Sequence, residues 1–249
     1  MRGTGYVVGA AALLIVTAGL NAAAPAVPAH IAAAVANKDR PDADRMRDAD
    51  RKPGEVAAFA GVKPGMKIIE LAPGGGYFTR ILSVAVGTQG KVLGISSRAL
   101  TAVNEWAQSH AQVVTIDDAK AGTIPVQSID KYDLVWTTMN YHDFKNGKTA
   151  EGGEAAAAYN VAAFEALKPG GAYLVSDHDA AKGAGATVTS TLHRIEAAQV
   201  IKEVEAAGFK LEAQSNILRH PADNHTARVQ EAGIRGKTDQ FLLLFRKPK

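Results

Sequence analysis

Residues 67–82 restrict the fold more than any other part of the chain. An apolar run over 67–71 carries an acid at Glu70; Gly74, Gly75 and Gly76 follow, and an amphipathic segment starts near Tyr77. An apolar run closed by glycines predicts a buried strand and a tight turn, and the segment behind it predicts a helix. Glycine reaches backbone conformations closed to other residues, so such a turn can pass close beneath a ligand. The N–H groups at the start of the helix face the same space. Strand, glycine turn and helix N-terminus, in that order, point to a nucleotide-sized ligand at the turn.

From Lys67 onward the pattern keeps alternating between strand and helix, which predicts a mainly parallel sheet with helices on both faces. Strands are expected over 67–71, 91–95, 112–116, 132–137, 172–176, 209–215 and 239–245. Helices are expected over 77–86, 99–109, 153–167 and 191–207. The 249-residue chain is long enough for one such domain, 61–249, with an N-terminal helical extension over 30–60. Within that extension, residues 30–37 read as a disordered or weakly helical leader. Residues 42–50 alternate Asp and Arg and read as a solvated helix held by ion pairs three and four residues apart.

The spacing Glu70-x-Ala72-x-Gly74-x-Gly76 resembles the first motif of class I S-adenosylmethionine-dependent methyltransferases, an acid followed by glycines at alternate positions. Leu167-Lys168-Pro169-Gly170-Gly171 and Ala206-Ala207-Gly208-Phe209, each ahead of a strand, resemble the same family. The resemblance spans roughly residues 63–245 and is best to exported bacterial methyltransferases of unassigned substrate. It implies a three-layer αβα sandwich. Its sheet would have seven mostly parallel strands in the order 3-2-1-4-5-7-6, the last one antiparallel. It also implies S-adenosylmethionine as cofactor and a small-molecule acceptor. A nicotinamide dinucleotide fingerprint is disfavoured at Tyr77, a bulky residue where close helix–strand packing wants glycine.

The resemblance assigns candidate residues at four strand ends, the side on which ligands bind in such sheets. After the first strand, Ala72, Gly74, Gly75, Gly76 and Tyr77 pass under the methionine part of the cofactor, and Glu70 orients the loop and the cofactor's amino group. After the second, Ser96 stands where the family usually has an acid for both ribose hydroxyls. A hydroxyl lacks the charge-assisted bidentate pair. After the third, Asp117-Asp118-Ala119 resembles the family's Gly-Asp-Ala stretch, with Asp118 at the adenine position and Asp117 beside it. After the fourth come Asn140, lining the cofactor, and Tyr141-His142-Asp143, facing the acceptor.

His142 is the best base of that group by intrinsic pKa, with Asp143 to orient it and Tyr141 to hydrogen-bond the acceptor. Asp177-His178-Asp179 follows the fifth strand. His142, Asp143, Asp177 and His178 could converge on a metal, but no paired-ligand spacing on a helix supports one, so no metal is expected. His193 and Arg194 read as the start of the next helix, facing either the site or, in preference, the solvent. The polar stretch 218–237 is expected to close over the acceptor pocket.

Arg2, an uncharged segment over 6–20 and the small-residue site Val27-Pro28-Ala29 predict a signal peptide over 1–29. The segment is short for the ~20 residues a membrane span needs. The protein is therefore expected in the periplasm or outside the cell, with no other membrane attachment. A chain without cysteine is indifferent to that compartment. A net charge of +3, interspersed, predicts no nucleic-acid partner. Ser96, and a cofactor made in the cytoplasm, support a second reading: an exported ligand-binding protein that keeps the fold without the activity.

Overall fold

The computed structural model describes residues 21–22, 26–127, 129 and 131–249. Most of the expected leader, 1–20 and 23–25, lies outside the described residues. Seven strands form the main sheet: β1 (Lys67–Leu71), β2 (Lys91–Ile95), β3 (Val113–Ile116), β4 (Tyr132–Thr138), β5 (Leu167–His178), β6 (Lys210–Ser215) and β7 (Gln240–Arg246). Their order across the sheet is 3-2-1-4-5-7-6. The pairs β1–β2, β1–β4, β2–β3 and β4–β5 are parallel, and β7 runs antiparallel to β5 and β6. A two-residue strand, Asn21–Ala22, adds parallel to the outer edge of β6.

Nine helices are described: α1 (Ala29–Val35), α2 (Asp42–Arg45), α3 (Asp48–Arg51), α4 (Pro53–Phe59), α5 (Tyr77–Val86), α6 (Thr101–Ala107), α7 (Tyr141–Asn146), α8 (Ala155–Ala166) and α9 (Ala197–Ala206). None is long and apolar enough to cross a membrane. Successive strand residues alternate between two cores, because side chains leave a strand on opposite faces. Ile68, Leu134, Trp136 and Leu174 pack with α1, α4 and α5 on one face. Ile69, Val135, Tyr173 and Val175 pack with α8 and α9 on the other. Both faces being covered, the central strands β1, β2 and β4 are buried along most of their length.

Three expectations are corrected. Residues 29–35 form a helix with Ile31 and Ala34 fully buried, and His30 Nε2 lies 3.0 Å from the Val62 carbonyl, so this segment is part of the packed domain. Residues 42–50 are two short helices bent over the glycine turn. Asp42 and Arg45 form the one surface pair of the expected kind, while Asp44 is buried. The helix expected over 191–207 begins only at Ala197. Ahead of it His193 sits at φ 55°, a left-handed conformation incompatible with helix, and Ile195 bridges to Asp179 in parallel register.

The Lys168-Pro169-Gly170-Gly171 turn is a looped-out piece of β5. Tyr132 pairs with Leu167 and Leu134 with Ala172, so four residues bulge between consecutive rungs of the ladder. Gly170 takes φ 77° there.

Candidate functional site

The glycine turn leaves β1 through Ala72 at φ 52°, Gly74 at φ 57° and Gly76 at φ 80°. A Cβ added at Gly74 or Gly75 would meet nothing within 4 Å, so both present bare backbone to open space. Gly76 is different: a Cβ there would lie 2.9 Å from Arg80 Nη1. Asn140 pins the turn from β4, its Nδ2 donating to the carbonyls of Ala72 at 3.1 Å and Thr138 at 2.7 Å.

A strap formed by α2 and α3 crosses above this turn. Arg80, on α5, donates to Asp44 Oδ2 at 2.7 Å and to the Gly75 carbonyl at 2.7 Å, tying strap and turn together in a buried pair. Tyr77 donates its hydroxyl to Asp48 at 2.6 Å. Asp48 also takes a two-pronged pair from Arg40 at 2.9 and 2.7 Å. The guanidinium carbons of Arg40, Arg47 and Arg51 lie 5.4, 5.5 and 4.5 Å from the Tyr77 ring centre, within cation–π range. Tyr77 therefore sits under the strap as a platform for cations.

Between strap and turn lies a cavity of about 280 Å³ lined by Glu70, Ala72, Gly74, Gly75, Tyr77 and Asn140, with Arg47, Arg51 and Met139. Glu70 is buried and accepts from Thr79 Oγ1 at 2.5 Å. Burial pushes its pKa up to about 7, against the Thr79 hydrogen bond and the charge of Arg80. A cavity of about 650 Å³ adjoins, lined by His142, Asp143, His178, His193, Val229, Gln230 and Arg235. The two share Arg47, Arg51 and Met139. Met139 holds φ 58° at the end of β4, a costly conformation for a long side chain. Burial next to Arg47 lowers the Arg51 pKa to about 10, and Arg51 still carries its charge at neutral pH.

Asp177, fully buried on β5, accepts from the His142 backbone N–H at 2.7 Å and lies 2.8 Å from His142 Nδ1. That leaves Nε2 as the atom facing the larger cavity. Burial opposes protonation of His142, but the Asp177 carboxylate outweighs it and raises the pKa above the usual histidine value. Burial raises the Asp177 carboxyl, and the His142 contacts more than reverse this, so it is held below the usual carboxylate range. His178, its Nδ1 2.7 Å from Thr238 Oγ1, is lowered to about 4 by burial and is neutral at pH 7.

The sequence-named residues thus separate by place. Glu70, Ala72, Gly74, Gly75, Tyr77 and Asn140 meet at the smaller cavity, and His142 and Asp143 line the larger one. Gly76 supports the turn from behind. Ser96, Asp117 and Asp118 stand at the ends of β2 and β3, outside both cavity linings. Ser96 Oγ accepts from the Arg98 N–H at 3.0 Å. Asp117 Oδ2 takes Leu100 N–H at 3.1 Å and Asn104 Nδ2 at 3.0 Å. Asp118 is exposed at φ 54°.

Tyr141 is not brought to the cleft. It is fully buried in the α8–α9 core, its hydroxyl donating to Glu203 at 2.9 Å and accepting from Asn160 at 2.7 Å. Arg47 and Arg51 line the cleft without any signal in the sequence, and His193, for which a surface position was preferred, lines it too. The Asp–Arg alternation looked solvated, and only the packing of Asp44 and Asp48 onto α5 turns those arginines inward. Arg194, expected at the surface, is fully buried on Asp223 at 2.8 and 3.1 Å. That pair anchors the long connection, whose Val229, Gln230, Arg235 and Gly236 line the larger cavity.

A family profile described as methyltransferase domain matches residues 62–227. Among solved structures, a SAM-dependent methyltransferase from Aquifex aeolicus superposes with TM-score 0.56 at 17% identity, covering 84% of this chain and 100% of the other. An arsenic(III) S-adenosylmethionine methyltransferase from Chlamydomonas reinhardtii gives 0.57 at 18%, over 90% and 75%. A [4+2]-cyclase gives 0.54 at 17%, over 85% and 84%. At these identities the likeness is one of fold. A comparison with curated proteins finds no sequence match.

Proposed function

This chain belongs to the methyltransferase domain family, and on that premise we propose that it is an S-adenosylmethionine-dependent methyltransferase acting on a small acceptor. One observation carries the reading: a cavity over bare glycine backbone shares Arg47, Arg51 and Met139 with a second and larger cavity. When bound, S-adenosylmethionine supplies an electrophilic methyl group on a sulfonium.

The residues present fit that cofactor. Gly74 and Gly75 leave open the space a side chain would fill, and Glu70 offers a carboxylate to an ammonium. Arg47 and Arg51 offer cations to a carboxylate. On the nucleoside side Asp117 Oδ1 is buried with no hydrogen-bond donor among the described residues, an acceptor of the kind an amino or hydroxyl group satisfies. In this reading the larger cavity takes the acceptor, with its nucleophilic atom at the Met139 junction and its polar end toward His142 Nε2. Alignment of nucleophile and methyl is the main requirement.

Calorimetric titration of the purified protein with S-adenosylmethionine and its demethylated product tests this. Saturable binding is expected, and Gly74→Val is expected to abolish it. No heat and no melting shift at millimolar ligand would reject the reading in favour of a binding protein for another ligand, since one fold serves several chemistries.

Export belongs to the same reading and rests on the N-terminal sequence. Cleavage after Ala29 would leave His30 as the first residue and keep the buried Ile31 of α1. N-terminal sequencing of protein recovered outside the cytoplasm should begin at His30; an intact Met1 would reject cleavage.

A further inference from the structure

The polar end of the larger cavity holds three side chains whose nearest atoms form an almost equilateral triangle. His142 Nε2 lies 3.3 Å from His193 Nδ1. Asp143 Oδ1 lies 3.4 Å from each of them. A tetrahedral zinc site with bonds of about 2.05 Å has ligand–ligand edges of about 3.3 Å. An octahedral magnesium site, at about 2.1 Å, has edges near 3.0 Å. The observed edges fit the first geometry. Two imidazoles and one carboxylate are also a zinc-type donor set rather than a magnesium one.

The surroundings of the triangle fit a metal as well. Buried Asp177 stands at His142 Nδ1, 2.8 Å away, which fixes the proton there and leaves the Nε2 lone pair pointing into the triangle. A carboxylate behind a metal-bound histidine has this effect in known sites. His193 is held at φ 55°, which aims its ring at α7.

We propose that His142 Nε2, His193 Nδ1 and Asp143 Oδ1 bind one zinc-class divalent cation, with its fourth position open to the larger cavity. The inference rests on the reading of that cavity as the acceptor side only in what it implies for substrate. There the acceptor is a molecule with an oxygen, nitrogen or sulfur donor that completes the coordination. Arg228, which can only donate, lies 3.2 Å from His193 Nε2, so His193 carries its proton on Nδ1. Cation binding moves that proton to Nε2 and releases the exposed Arg228.

The test uses the untagged full chain, stripped with chelator and titrated with zinc against a chromophoric competitor, with no cofactor present. One equivalent is expected to bind. Cobalt is expected to give the intense visible absorption of a tetrahedral site, and magnesium is expected not to compete. Asp143→Asn and His193→Ala, both at the rim, should each weaken zinc binding at least a hundredfold with unchanged circular dichroism. Arg228→Ala should tighten it severalfold. Absence of stoichiometric binding, binding indifferent to both rim variants, equal binding of magnesium, or weaker binding by Arg228→Ala would overturn the proposal. Titration of the same preparation with S-adenosylmethionine separates the two ideas. Cofactor binding without zinc rejects only the metal site, leaving His142 as a general base; zinc without cofactor rejects only the methyltransferase reading.

Discussion

Replacing Glu70 with glutamine should change stability and ligand binding in opposite directions, each with its own pH dependence. Glu70 is buried, and its pKa rises from 4.5 to about 7 because burial penalises the charge. Between those values the folded protein holds a proton that the unfolded chain has lost. The contribution of the group is therefore complete below about pH 4.5 and disappears as pH rises through about 7. A shift of this size corresponds to about 3 kcal/mol. Glutamine keeps the shape and cannot ionise. The variant should match the parent near pH 4.5 and exceed it by about 3 kcal/mol at pH 8.

Binding should move the other way. A ligand ammonium beside Glu70 favours the carboxylate, so affinity of the parent for S-adenosylmethionine should climb as pH rises toward 7 and level off above it, while the variant shows no such climb and binds more weakly above pH 7. Urea unfolding followed by circular dichroism from pH 4.5 to 8.5, with calorimetry at each pH, measures both. Parallel stability profiles for parent and variant would refute the reasoning, because they would mean that Glu70 does not hold its proton in the folded state.

Three other substitutions probe the turn, the strap and the core. Ala72→Gly relieves the one non-glycine residue of the turn held at positive φ, 52°, and should stabilise by about 1 kcal/mol in urea unfolding. Asp44→Ala leaves Arg80 buried without its 2.7 Å carboxylate partner; a loss of about 3 kcal/mol is expected by the same measurement, together with weaker cofactor binding. Tyr141→Phe removes a hydroxyl shared by Glu203 and Asn160 and should cost about 1 to 2 kcal/mol. Cofactor affinity should not change in that variant, and a loss of binding by calorimetry would return Tyr141 to the site.

Much of this protein was determined by local sequence. Apolar runs closed by glycine place β1 at 67–71, before Gly74, to the residue, and the run 172–176 after Gly171 marks the inner part of β5, which extends over Leu167–His178. Strand direction follows from alternation with helices, and a right-handed parallel sheet admits few orders. The glycine turn was equally legible, because positive φ at Gly74 and Gly76 is a property of those residues themselves.

The rest depended on contacts between segments distant in sequence. Asp44 and Asp48 look like surface acids until Arg80 and Tyr77, 36 and 29 residues away, desolvate them and close the strap over the turn. Tyr141 and His142 are neighbours, yet adjacent side chains on a helix leave in different directions. One enters the core while the other is caught by Asp177 from the next strand. His193 comes to within 3.3 Å of His142 across 51 residues because its backbone departs from the helix that local pattern favours. Periodicity records which face a residue prefers, whereas the partner that meets it there is chosen by packing of the whole chain.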